Sequence, residues 1–223
     1  KAIELIPQDA DVHRFYGMHL RGVGRSKESV AEVKKARDLD PLGVENNRLL
    51  GAAFYWAGLY DEAIRQYSKT LELDPNNAPT RDGLADVYAR KRMYKEAIAE
   101  ERKYLSLMGE EESASRLERD FGTAGGGRGG ASDAAAYERA MKNQYEKTLV
   151  LAKEASKDAY VSPMFFVFLY ANLGDKDQAF AWLEKAYQER QPGLGYIKWD
   201  PQLEPLRKDP RFDDLLRRIG FPG

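Results

Sequence analysis

The residues able to do chemistry are few, and their spacing suits no familiar reaction. His13 and His19 are the two histidines, and a six-residue separation leaves them about 120° from alignment on a helix, so they cannot form the i, i+4 pair of a helical zinc site. His13 fills the first position of an apolar pattern and is expected to serve packing. Cysteine is absent, which removes disulfides and thiolate ligands, so neither a metal nor another cofactor is expected. Carboxylates are plentiful but fall in runs, Glu110-Glu111-Glu112 and Asp213-Asp214, the pattern of a solvated face rather than an acid/base pair. No serine carries the flanking glycines of a nucleophile elbow. Gly122, four residues and Gly127-Arg128 begin like a phosphate loop. That loop requires Lys then Ser or Thr after a buried strand, whereas Arg128 is followed by Gly129 and the preceding stretch reads as helix. The segment GTAGGGRGG, with six glycines, therefore reads as a flexible connector. No catalytic residue is assigned, and the chain is expected not to be an enzyme.

Composition narrows the remaining classes. A chain of 223 residues that is 43% hydrophobic and 32% charged holds enough apolar material to fold. Its 35 basic and 36 acidic residues give a net charge of −1, so no global field would draw it to nucleic acid or an anionic membrane. The longest apolar run, Met164 to Leu173, is too short for a membrane span and is interrupted by Asn172. A cytoplasmic location is the expectation. The sequence begins at Lys1, and Ala2-Ile3-Glu4-Leu5-Ile6-Pro7 resembles the end of a unit whose beginning lies upstream, so a fragment is expected.

Pro7, Pro41 and Pro75 stand 34 residues apart, each after a similar helix end, IELIP, ARDLDP and LELDP. Between the last two, Leu50-Gly51 and Phe54 share a face of one helix, and Ala63 and Tyr67 share a face of a second. Small Gly51 and Ala63 let the two backbones approach. Gly58 ends the first helix of this pair, as Gly24 does one period earlier, where Tyr16-Gly17, Leu20, Ser29, Val33 and Ala36 take the corresponding positions. One period later, Leu84-Ala85, Tyr88 and Ala97 follow the pattern. Glu101 falls where an aromatic is expected and Gly109 replaces the proline, which predicts a lengthened or shifted second helix.

This spacing resembles the tetratricopeptide repeat, with Asn47 where the family pattern has Trp. The resemblance implies an all-α, right-handed solenoid of helix-turn-helix repeats that bury their faces on one another. Residues 1–109 are read as repeats, the first incomplete. Residues 110–159 are a divergent helical pair around the glycine loop 122–130, with Ser132-Asp133 offering a cap to the longer helix. Residues 160–191 return to the pattern through Phe166, Tyr170, Gly174, Ala179, Leu183 and Ala186, with Ser162 as cap and Pro163 in the first turn. Residues 192–223 are read as a C-terminal cap that starts twice from Asp-Pro, at Asp200-Pro201 and Asp209-Pro210. Its last helix sets Phe212, Leu215, Leu216 and Ile219 against Arg211, Asp214, Arg217 and Arg218. This end is similar to the repeat modules attached to bacterial winged-helix regulators and Ser/Thr kinases.

In the family the first helices line a concave groove. Carried over, the resemblance implies Arg14, Met18 and Arg21, then Arg48, Ala52 and Tyr55, then Asp82, Asp86 and Arg90 as groove residues for a protein or peptide partner. The i, i+4, i+7 spacing puts each trio on one helical face. The groove is then basic at its N-terminal end and acidic beyond. Arg14, Arg21 and Arg48 are candidates for a carboxylate-rich or C-terminal peptide, with Tyr55 as an aromatic platform. The alternative is that these arginines pair with Glu45 and neighbouring acids. The Lys and two Asn of chaperone-tail-binding members are replaced by Arg14, Met18 and Leu49, which argues against that ligand. Phe165 and Phe168 are a second candidate surface unless they pack on the long helix. The expected function is a binding scaffold, the sensory or assembly module of a larger bacterial protein. The other readings are a small-molecule sensor or hydrolase using the cleft near the glycine loop, and a nucleic-acid-binding solenoid, against which Asp82 and Asp86 argue.

Overall fold

Helices of 13 and 14 residues alternate six times along the first part of the chain, each ending where a turn residue interrupts it: α1 Ala10–Gly22, α2 Ser26–Leu39, α3 Val44–Trp56, α4 Tyr60–Leu73, α5 Ala78–Arg90 and α6 Tyr94–Leu107. The structure is a computed structural model and describes residues 5–221. The expected helix end at residues 2–4 and the last two residues of the cap lie outside it. Further along come α7 Glu111–Thr123, α8 Ala131–Ala155, α9 Pro163–Leu173 and α10 Lys176–Gln188, then two 3-10 segments, Pro192–Tyr196 and Pro201–Leu206, and α11 Pro210–Ile219. No strand occurs among the described residues. The fold is an all-helical array of consecutive hairpins. It divides into two units, one ending at Ala140 and the other starting at Met141.

In the first unit α1 pairs with α2, α3 with α4 and α5 with α6, and α7 packs on α6. The turns inside the three hairpins use the same period. Gly24 and Gly58 have φ of 79° and 74°, and Arg92 occupies the third equivalent position at 60°. A side chain in the left-handed region is strained, so Arg92 carries a cost that the two glycines avoid. The helix α6 has the same length as α2 and α4, so Glu101 and Gly109 do not lengthen it as expected. Gly109 ends it with a φ of 79°.

Tyr67 shows why the spacing is what it is. A Cβ on Gly51 of α3 would lie 2.5 Å from the Tyr67 ring, and one on Gly83 of α5 would lie 2.7 Å from its hydroxyl. The ring is thus gripped between two first helices by positions that tolerate no side chain, and it is 3% exposed. Around it pack Ala52, Tyr55, Ala63, Leu84 and Val87. Phe54 touches this cluster and the preceding one of Val33, Leu49, Leu50 and Ala53. The half-buried Phe54 therefore joins two repeats.

A polar pin recurs at the same place in each hairpin. The His13 ring bonds Glu32 Oε2 at 2.6 Å and the Pro7 carbonyl at 2.9 Å. Asn47 accepts from Gln66 at 2.8 Å and donates to the Pro41 carbonyl at 2.9 Å. Arg81 donates to Glu100 at 2.7 Å and to the Pro75 carbonyl at 2.7 Å. Each pin ties a first helix to its second helix and to the preceding loop. His13 is buried, as its pattern position implies, and it also does this bonding.

In the second unit α9 is apolar on nearly every side and is enclosed by Leu183, Ile197, Leu203, Leu206, Phe212 and Leu215. Pro163 opens it, and Gly174 closes it at a φ of 77°. Ser162 sits at the cap position, but its side chain makes no capping bond. Asp200 and Asp209 do cap, accepting from the backbone of Gln202 and Arg211. Trp182 stacks on Phe166 with ring centroids 4.1 Å apart. Phe168 joins this core with Tyr145 and Leu149 of α8, whereas Phe165 remains exposed. Helix α11 buries Phe212, Leu215 and Leu216, and its outward Arg218 chelates Glu184 with two 2.8 Å bonds.

Candidate functional site

Charges from all three first helices reach one buried side chain of α4. The charges of Arg21, Arg48, Asp82 and Asp86 all act on the Tyr67 phenol, whose ionisation burial has already pushed upward. Arg14 adds its field to Glu45. The six charged positions do not behave alike.

At the α1 and α3 end the arginines have local partners. Arg14 donates to Asp11 Oδ1 at 3.1 and 2.7 Å and lies 4.5 Å from the centre of the Phe15 ring. Arg48 forms a fork with Glu45 at 2.8 and 2.7 Å. That bond holds Glu45 below the usual carboxylate range and Arg48 above the usual guanidinium range, against the burial of each. Arg21 stacks 4.7 Å over Trp56. Met18 is half-buried against the Leu49 and Leu50 cluster. Ala52 and Tyr55 are each only 7% exposed, and Tyr55 packs 6.1 Å from Tyr60, so Tyr55 offers little open ring surface. The pairing of Arg48 with Glu45 is the alternative that the sequence left open.

At the α5 and α6 end acidic groups act together on one half-buried carboxyl, that of Glu101. Asp82 is exposed and Asp86 half-buried, with Arg90 exposed at the helix end. Protein crowded around Asp82 still penalises its charge and pushes its carboxyl upward, an effect that the water it touches limits. Glu101 of α6 stands behind them, at the position that Tyr67 holds one period earlier. Burial, then the charges of Asp82, Asp86 and Glu110, push its carboxyl up to about 8. Every charge acting on it is acidic, so at neutral pH Glu101 keeps its proton and can donate a hydrogen bond. Tyr137 of α8 packs 5.1 Å from Tyr94. Burial raises its phenol, and so do Asp86, Glu101 and Tyr55. Tyr104 is raised in the same way, by burial and then by Asp82 and Glu101. The result is a patch of carboxylates edged by tyrosines, with water reaching Asp82.

Glu101 was not among the groove candidates. Its departure from the aromatic pattern is the signal that marks it: a carboxylate at a core position is costly unless something compensates. Tyr137 stands with Met141, Tyr145, Thr148 and Ala152 at helical spacing, which marks a packing face, and it packs on Tyr94.

The other candidate features are used internally. In the glycine loop, Asp133 Oδ1 accepts from the backbone of Arg128 and Gly129 at 3.0 Å each, so the chain's own carboxylate sits where an anion would. A cleft between α10 and α11 has Phe180 and Leu215 as floor and Glu184, Arg211, Asp214 and Arg218 as rim. Its arginines are engaged, Arg211 by Asp177 and Asp209 at 2.8 Å and Arg218 by Glu184. No described helix is long and apolar enough to cross a membrane.

Two family models, each described as Tetratricopeptide repeat, match residues 44–77 and 167–191. No curated protein matches the chain. Among solved structures, a chain of "Structure of Naa15/Naa10 bound to HypK-THB" is 19% identical to this one, with a TM-score of 0.44. The match covers 97% of this chain and 32% of that chain, so the present chain spans about a third of its length.

Proposed function

We propose, from the premise that this chain is a tetratricopeptide-repeat protein, that it is a binding scaffold whose first unit receives a protein segment carrying Lys or Arg. The observation that carries this reading is the grouping of Asp82 and Asp86 with Glu101, whose carboxyl burial and then the charges of those two aspartates push up to about 8. A cation seated there relieves that repulsion, and the neighbouring tyrosines favour it further through their ring faces. The remaining groove candidates Arg14, Met18, Arg21, Arg48, Ala52, Tyr55 and Arg90 extend the contact. Carboxylates or the C-terminus of the same segment then meet Arg14, Arg21 and Arg48, each exchange displacing a local partner such as Asp11 or Glu45 and gaining correspondingly little. The chain performs no reaction in this account. Its role is to hold a partner, as the sensory or assembly module of a larger bacterial protein.

The test is fluorescence anisotropy with a Lys-rich peptide and a Glu-rich peptide of equal length. The Lys-rich peptide binds, its affinity falls with added salt, and Asp82→Asn/Asp86→Asn weakens it roughly tenfold or more, as expected for lost charge pairs. Equal binding of both peptides, or affinity indifferent to the double variant, overturns the reading. Arg14→Glu/Arg48→Glu separates the two ends: it lowers affinity for the Glu-rich peptide alone.

A further inference from the structure

The three pins occupy the same place but differ in what protons do to them. Asn47 with Gln66 has no ionisable group. Arg81 keeps its charge at any pH the fold survives. In the third pin the ionisable partner is the acceptor Glu100, whereas in the first His13 is a donor that can lose its proton.

His13 is 5% exposed, and both its ring nitrogens face oxygens. Nδ1 lies 2.6 Å from Glu32 Oε2 and Nε2 lies 2.9 Å from the Pro7 carbonyl. A carbonyl oxygen can only accept. An ionised carboxylate can also only accept, and Glu32 takes a second bond at 2.8 Å from Lys35. Although burial pushes the Glu32 carboxyl up, the bonds from Lys35 and His13 outweigh it and hold the group below the usual carboxylate range. Two acceptors demand two donors, and only the imidazolium supplies both. A neutral ring of either tautomer sets a bare nitrogen lone pair against an oxygen lone pair in a buried place.

We propose that the pin of the first hairpin is a proton-dependent latch: α1 is fastened to α2 and to the Pro7 loop by the imidazolium of His13 and is loosened when that proton leaves. The charged groups around it are Glu32 and Lys35 on α2, with Glu28 one turn earlier feeling the Glu32 charge, Asp9 at the N-cap of α1, Arg14 on α1, and Glu45 on α3, which feels the charge of Arg14. The second hairpin is the built-in control, since Asn47 donates through its amide to the Pro41 and Gly43 carbonyls and accepts from Gln66, with no proton to lose.

The experiment is amide hydrogen exchange on the whole chain at pH 5.5 and pH 8, expressed as protection factors so that the intrinsic pH dependence of exchange is removed. Protection in α1 and α2 falls roughly tenfold relative to α3 and α4 as the pH rises, the scale of one lost charge-assisted hydrogen bond. The variant His13→Asn/Glu32→Gln copies the pin of the second hairpin, and in it the ratio no longer changes with pH. Nitrogen-15 spectra of the wild-type imidazole give an independent reading even if that variant folds poorly: both nitrogens protonated at pH 5.5 and one of them bare at pH 8. A neutral ring at pH 5.5, or the same change of protection ratio in variant and wild type, overturns the proposal.

Discussion

Replacing Glu101 by Gln keeps the shape of the side chain and removes its ability to ionise, so the variant isolates what the acidic patch costs. In the folded protein the Glu101 carboxyl is raised from 4.5 to about 8. A raised carboxyl binds its proton more tightly folded than unfolded. Its stabilising contribution is therefore complete below about pH 4.5 and is lost progressively as the pH rises to about 8. At about 1.4 kcal/mol per pH unit the full span would approach ~5 kcal/mol. Water reaches part of this half-buried side chain, and Asp82, Asp86 and Glu110 share in the titration, so a net effect of roughly 1–3 kcal/mol is the realistic expectation. Urea denaturation followed by circular dichroism measures it. Wild type and Glu101→Gln should be nearly equal at pH 4.5, and the variant should be the more stable by that amount at pH 8.5. Stability curves that run parallel across this range would refute the assignment of a strained carboxylate to the patch.

Two further substitutions test the packing. Arg92→Gly relieves the left-handed residue in the turn between α5 and α6 and should stabilise the first unit by about 1 kcal/mol in the same denaturation assay. Tyr67→Ala empties the space between Gly51 and Gly83 and should cost ~3–5 kcal/mol, with hydrogen exchange accelerating in α3, α4 and α5 together because the ring fills both hairpins.

The repeat architecture was legible because its causes are local and periodic. Leu50-Gly51, Ala63 and Tyr67 state a close approach of two helices, and Gly24 and Gly58 state where each hairpin turns. The features that matter for binding were harder to read. Glu101 stands out in the sequence only as an exception to the aromatic pattern, and the exception predicts a lengthened or shifted helix, whereas its consequence in the structure is electrostatic. That consequence extends to Tyr137, whose phenol Glu101 helps to raise and which reaches Tyr94 from a helix outside the period. His13 read as a packing residue because burial follows from its position, whereas its bonding depends on Glu32 and Pro7, partners 19 and 6 residues away. Only the alignment of His13 with Asn47 and Arg81 makes the pin visible. The arginines show the converse limit: spacing set them on one face, and acids a single turn away, Asp11 and Glu45, already engage Arg14 and Arg48.

The carboxyl resonance of Glu101, followed by NMR from pH 5 to pH 9 with and without a saturating Lys-rich peptide, reports whether a cation occupies the acidic patch. A cation seated among Asp82, Asp86 and Glu101 favours the ionised form, so the Glu101 midpoint should drop by at least one pH unit from about 8. A midpoint unmoved by a peptide that demonstrably binds would place the partner elsewhere and contradict the account.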